Sequence, residues 1–270
     1  MHFNSDKFEC IRFWPRKPLA PNFEYLGPDG EKIEVKDTLK DLGVLLSSGL
    51  SFRLQVDKTV AAASKLASWG LRTFRRRGQD IMKTIWKCLV QPKLDYCSQF
   101  WSPGDQESIN KIESVQQHFL SRISSLVGHN YWDKLKRLQL YSQERRRERY
   151  MILFLWKLSQ GLVHGYEIQF TSSSGRRGRT ALPHSVVQSS PALVRNARES
   201  SLGVKGARIF NLLPAYIRNI DSDSVDSFKS HLDNFLTEIP DQPTIAGLGR
   251  SAESNSLEHQ IPMFMLNRPC

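Results

Sequence analysis

From Ser51 onward, apolar residues return every three or four positions. Phe52, Val56, Val60, Ala63 and Ala67 share one face, with Ser51 placed as an N-cap, which predicts a long amphipathic helix. Ile81, Ile85, Leu89 and Val90 define a second helix over residues 79–94, which Pro92 is expected to kink or stop. After the Ser102-Pro103-Gly104 break, Ile109, Ile112, Val115, Phe119 and Ile123 predict a third, and Tyr131, Leu135 and Leu138 a short fourth. A fifth covers residues 143–160. Its first half is the charged run Arg145-Arg146-Arg147-Glu148-Arg149, and its second half is apolar, with Ile152, Leu155 and Trp156. Further on, Ile209, Phe210, Leu213, Ile217 and Ile220, then Val225, Phe228, Leu232, Phe235 and Leu236, fit two more helices. Pro214 lies near a helix start, and Asp221-Ser222-Asp223-Ser224 forms the turn and cap between them.

The ends and the middle read differently. Strand-like runs at residues 8–14 and 33–35 flank the turn signal Pro28-Asp29-Gly30, and Leu39, Leu42, Val44 and Leu45 add a short apolar run. Residues 171–202 are rich in Ser, Gly and Arg with little period, and the tail from Ile239 carries Pro240, Pro243, Gly247 and Gly249. The expected fold is mainly α, with a small N-terminal β portion, a helical bundle and a small helical C-terminal unit. The expected divisions are residues 1–50, 51–160, a basic flexible linker at 161–202, 203–238, and a disordered tail at 239–270.

Composition narrows the partners. The 270 residues include 38 Lys and Arg against 27 Asp and Glu, a net charge of +11 that favours polyanions, nucleic acid first and an anionic membrane second. No stretch approaches the roughly 18 apolar residues of a spanning helix, and the polar start lacks a secretory apolar region. An intracellular protein, cytoplasmic or nuclear, is expected. Cys10, Cys88, Cys97 and Cys270 form no cluster and are expected as free thiols.

Candidate chemistry is sparse. Two-metal polymerase or nuclease sites need converging carboxylates, and the chain has no Asp-Asp pair; Asp221 and Asp223 fit a cap better than a metal site. The seven histidines show no metal-ligand spacing, and neither a Gly-x-Gly-x-x-Gly nor a Walker loop is present. Neither catalytic nor metal-ligating residues are expected. Arginine remains, in three clusters: Arg72, Arg75, Arg76 and Arg77; Arg145, Arg146, Arg147 and Arg149; Arg176, Arg177 and Arg179. A single charge run is usually a solvated face. Three together, with Phe74, Tyr150 and Trp156 beside them, supply phosphate neutralisation and aromatic surfaces that either stack on bases or pack internally.

Several collinear stretches resemble the end of the reverse transcriptase, and the region after it, in retrotransposons without long terminal repeats of the jockey and chicken-repeat kind. Residues 3–10, with Asn4 and Lys7, resemble the Asn-x-x-Lys segment after the catalytic palm motif, and Lys40-Asp41-Leu42-Gly43-Val44 its primer grip. Tyr96 with Trp101-Ser102-Pro103 resembles a thumb stretch, and Ile112-Glu113-Ser114-Val115-Gln116 an Ile-Glu-x-Val-Gln helix. Residues 137–146 are similar to Arg-Leu-x-Leu-x-Ser-Leu-Glu-x-Arg-Arg, and residues 208–214 to Phe-x-x-Trp-Asn-x-Leu-Pro. Phe8 stands where the family has Cys, and Phe210 precedes Asn211 where it has Trp.

The resemblance implies a palm-end remnant over residues 1–50 and a thumb-like domain over 51–160. It places Lys7 near an incoming nucleotide, and Leu42, Gly43 and Val44, with Lys40 in the same segment, at the primer end. The family's catalytic carboxylates, and the Mg2+ they bind, would lie before Met1, which suggests a fragment translated from an internal start. Three readings follow. The chain is a nucleic-acid-binding remnant that grips RNA or RNA/DNA duplex without catalysis, part of an active RNA-directed DNA polymerase completed by an upstream domain, or a helical protein-interaction module. Against all three stands a marginally folded translation product with an uncovered apolar face.

Overall fold

The computed structural model describes residues 8–13, 24–163, 171–172, 180–181, 192–220, 224–244 and 254–267. The architecture is mainly helical. Among the described residues, no helix is long and apolar enough to cross a membrane. Lys7, Asp221, Asp223, Arg176, Arg177 and Arg179 lie outside the described residues.

The N-terminal strands are short. β1 (Cys10–Ile11) pairs in parallel with β4 (Val35–Lys36), and β2 (Tyr25–Leu26) pairs antiparallel with β3 (Lys32–Ile33) around the Pro28-Asp29-Gly30 turn. β5 (Thr38–Asp41) and β6 (Val44–Ser47) form a hairpin in which Asp41 faces Val44. Its two turn residues, Leu42 and Gly43, both have positive φ (43° and 92°), the backbone of a tight hairpin turn whose twist matches the strands. Glycine takes this conformation freely, whereas leucine is strained in it.

α1 (Arg53–Thr73) starts two residues after Ser51, whose Oγ accepts from the Arg53 N–H, while Phe52 occupies the cap position without a side-chain bond. α2 (Gln79–Ile85) passes through one wide π turn, Trp86–Val90, into α3 (Gln91–Asp95), so Pro92 is absorbed in the first turn of α3 rather than ending the helix. The extra residue in that turn rotates the buried face. Met82, Ile85, Trp86, Val90 and Leu94 are buried, while Ile81 and Leu89, expected inside, are exposed. α4 (Gln106–Leu120), α5 (Tyr131–Leu138) and α6 (Gln143–Ser159) are capped by Asp105, Asn130 and Ser142, whose side chains accept from Ser108, Asp133 and Arg145 N–H groups.

Among the described residues, the buried apolar side chains form two cores. The first takes Val44, the inner faces of α1 to α5, and Trp101. The second is built from the apolar half of α6 with α8 (Ala207–Leu212), α9 (Ala215–Arg218), α10 (Val225–Glu238) and α11 (Leu257–Leu266). Trp156 stacks on Phe228 at 4.4 Å and donates its indole N–H to the Ile220 carbonyl, so it packs internally. α6 therefore contributes its apolar half to the C-terminal core, although the sequence groups it with the bundle before it.

Two expectations are corrected. The stretch read as a flexible linker contains α7 (Ala192–Glu199). The tail read as disordered contains α11, with Leu257 and Ile261 buried in the second core. Glu148, itself buried, accepts from Ser256 Oγ and the Leu257 N–H and pairs with Lys205 Nζ at 2.8 Å. The N-terminal turn of α11 thus supplies donors to a carboxylate that would otherwise be costly to bury.

A second buried carboxylate ties the bundle to α6. Glu113 accepts from the Tyr131 hydroxyl and the Gln143 N–H, and Gln116 bonds the Tyr141 carbonyl and the Gln143 side chain. Burial pushes the Glu113 carboxyl up to about 8, against the opposing pull of its hydrogen-bond donors. Burial, with Glu148 adding, raises Glu144 to about 7.

Two predictions follow from this packing. Ile261→Ala is expected to cost about 2–5 kcal/mol in urea unfolding, whereas a frayed tail would leave the midpoint unmoved. A carboxyl whose folded pKa is raised holds its proton more tightly in the native state. Its contribution is full below the usual 4.5 and lost as pH climbs through about 8. The native protein should therefore lose stability between pH 5 and 8. Glu113→Gln should show a shallower decline over that window, with the Glu144 share remaining.

Candidate nucleic-acid interface

α1 and α4 lie side by side and run in the same direction. At their N-terminal ends Arg53 approaches Asp105 (3.8 Å), and Lys111 pairs with Asp57 (3.1 Å). At the other end the Ser124 N–H donates to the Arg77 carbonyl, fastening the α1–α2 loop to the segment after α4. Acidic side chains thus gather at one end of the pair, and the first arginine cluster at the other.

Within that cluster the side chains have different tasks. Arg77 is half-buried and donates to the Leu71 carbonyl at 3.2 Å, closing the loop on itself. Arg72, Arg75 and Arg76 are exposed and, among the described residues, none of the ion pairs engages them. No acidic residue lies between Asp57 and Asp80. Arg122, also exposed, follows α4 at the same end. Beside these cations Trp69 and Phe74 are 47% and 38% exposed and meet edge to face at 6.4 Å. Trp69 falls outside the buried period of Val56, Ala63 and Ala67, which is the sequence signal that marks it.

The second cluster is placed otherwise, and the expectation that it faces phosphate is corrected. Arg145 is fully buried and donates to the Ile239 and Pro240 carbonyls. Arg147, also buried, donates to the Leu94 carbonyl and lies 4.0 Å over the Trp101 ring. Its Nε and Nη1 find no acceptor among the described residues, and the indole face stands in for one. Burial pushes the Arg147 guanidinium down, with Asp95 opposing. Arg146 grips Asp95 through Nε and Nη2, and Arg149 grips Asp233 in the same forked manner. Tyr150 joins the Asp95 pair through its hydroxyl. The four guanidiniums divide between two neighbours of α6: Arg146 and Arg147 reach the end of α3, and Arg145 and Arg149 reach α10 and the residues just after it.

The β5–β6 turn makes a second exposed feature. Lys40 is exposed, and Leu42 is 84% exposed. The turn is held from behind: the Tyr96 hydroxyl donates to the Leu42 carbonyl at 2.6 Å, Lys58 Nζ reaches the Gly43 carbonyl, and Gln55 accepts from the Leu45 N–H. A Cβ at Gly43 would stand 3.5 Å from the Tyr96 ring. A strained, exposed leucine in a turn held by three neighbours is the kind of backbone outlier that marks a working surface. Lys40, Leu42 and Gly43 thus share one hairpin, on an element separate from the Arg72–Arg76 loop.

Cys10, Cys88 and Cys97 are free thiols. Among the described residues, no group of three or more His, Cys, Asp or Glu side chains converges as a metal site would. No family model matches the chain, nor does any curated protein or any solved structure.

The two arginine clusters are expected to separate experimentally. Arg146→Gln leaves Asp95 without its forked partner in a partly buried setting and should lower unfolding stability by about 1–3 kcal/mol. Arg75→Gln should leave the unfolding midpoint within about 0.5 kcal/mol of the native protein.

Proposed function

We propose that the chain is the strand-holding portion of a reverse transcriptase from a retrotransposon without long terminal repeats, binding template and primer through the basic end of the α1–α4 pair. In this reading it does not join nucleotides itself, and a polymerase palm carried on other residues or another chain would supply the Mg2+-binding carboxylates. The observation that carries it is the set of exposed guanidiniums at Arg72, Arg75 and Arg76, which no ion pair engages among the described residues, beside exposed Trp69. Exposed arginines that no carboxylate neutralises keep their full potential for phosphate, and each phosphate neutralised releases a counterion.

The family side of the reading draws support from where its motif residues meet. Tyr96 receives the Trp101 indole N–H at its carbonyl and bonds the Leu42 turn; Glu113 and Gln116 bind the Tyr141–Gln143 segment; Arg146 holds Asp95. Stretches spread over a hundred residues of sequence thus join one hydrogen-bonded framework.

A protein-interaction module is favoured by one observation. Leu42, Tyr96 and Phe100 are exposed apolar surface, with Phe100 edge-on to Phe52 at 5.7 Å. In the proposed reading that face is where the upstream polymerase domain would sit.

Titrating labelled RNA/DNA duplex across salt distinguishes the two. The native chain should show a steep linear fall of log affinity with log salt. Changing Arg72, Arg75 and Arg76 together to Gln should flatten that slope by about 2–3. Binding that is unmoved by the triple change would remove the proposal.

A further inference from the structure

Between α1 and α4 runs a groove of about 600 Å³ lined by Ser64, Ser68, Ser114, Gln117, His118 and Ser121. Its walls offer hydroxyl, amide and imidazole donors from both helices. Ser114 and Ser121 already donate to the Lys111 and His118 carbonyls, which leaves their oxygens as acceptors; Ser64, Ser68 and Gln117 have no side-chain bond among the described residues and are available as donors. Arg72 lies one turn beyond Ser68 and three residues beyond Trp69, so on the helix surface it neighbours both the groove and the aromatic pair. Arg75, Arg76 and Arg122 surround the same end.

The size of this site argues against a duplex inside it. Packed helices lie roughly 8–10 Å apart, so the cleft between them is narrow. Duplex DNA is broad enough for its major groove, about 12 Å wide, to receive an entire helix. A duplex can only rest across the rim, where it meets the arginines and leaves the groove empty. Nor can a base inside a duplex stack on Trp69, because both of its faces are already covered by its neighbours. A single strand satisfies all three features: it is thin enough for the groove, its phosphates suit the donors and cations, and its unpaired bases have open faces for the indole and phenyl rings.

Resting on the nucleic-acid reading above, we propose that this end of the molecule is a site for unpaired nucleic acid. The strand's backbone lies along the α1–α4 groove, its phosphates meet Arg72, Arg75, Arg76 and Arg122, and a base stacks on the Trp69–Phe74 pair. The site distinguishes single strand from duplex by stacking, and tolerates sequence because every base has a π face.

The test uses the full chain with two labelled probes, a single-stranded oligonucleotide of about 12 nucleotides and a blunt duplex of the same length. The native protein should bind the single strand more tightly. Trp69→Ala with Phe74→Ala should weaken single-strand binding by about tenfold or more and leave duplex binding within about twofold. Trp69→Phe, which keeps a stacking face, should retain most of the single-strand affinity while abolishing the part of the tryptophan quenching that the strand causes. Both positions are exposed, and an unchanged urea midpoint in each variant confirms that folding is intact. Equal weakening on both probes, or none on either, overturns the stacking site. Duplex binding without single-strand preference overturns this inference and leaves the proposed function standing. Absence of binding to either probe overturns both, as does binding only to vesicles of anionic lipid.

Discussion

The structure depends on burying the charged half of α6. A helix that begins Gln-Glu-Arg-Arg-Arg-Glu-Arg has none of these residues exposed, and desolvating that many charges is costly unless they meet partners at fixed geometry. The partners are distributed. Arg145 reaches the end of α10, Arg146 and Arg147 the end of α3, Arg149 the middle of α10, and Glu148 the start of α11 with Lys205. The apolar half of the same helix fills the second core. One helix thus joins the two halves of the molecule: its directional bonds reach elements of both cores, and its apolar half packs in the second.

This explains why part of the fold was legible in the sequence and part was not. The periods that begin at Phe52, Ile109 and Tyr131 lie where helices form, because each face has a simple apolar wall to meet. The period over residues 79–94 misleads about which residues point inward, since the π turn at Trp86–Val90 adds a residue per turn that no spacing rule anticipates. α11 escapes notice because Pro262 interrupts a short segment whose inward side offers few apolar residues, Leu257 and Ile261 with Phe264 beside them.

The arginine clusters show the same limit at the level of the site. Composition and spacing cannot separate Arg75 from Arg145, as both stand in basic runs beside aromatic residues. What separates them is whether carboxylates and carbonyls from distant sequence come within reach: Asp95, Asp233, Ile239 and Pro240 converge on α6, and nothing comparable approaches the α1–α2 loop among the described residues. The serines and His118 of the groove carried no signal at all, since their role depends on the parallel course of two helices separated by more than thirty residues.

That parallel course has an electrostatic consequence. Two helices pointing the same way bring their carbonyl-rich ends together, each equivalent to roughly half a negative charge. Left bare, the end formed by Thr73 and Leu120 would push a polyanion away. The guanidinium groups there do more than add attraction, because they reverse the sign of the field at that pole. Affinity for phosphate at this pole is therefore a threshold property of side-chain charge, and a chain that lost its arginines there by mutation would become repulsive rather than merely indifferent.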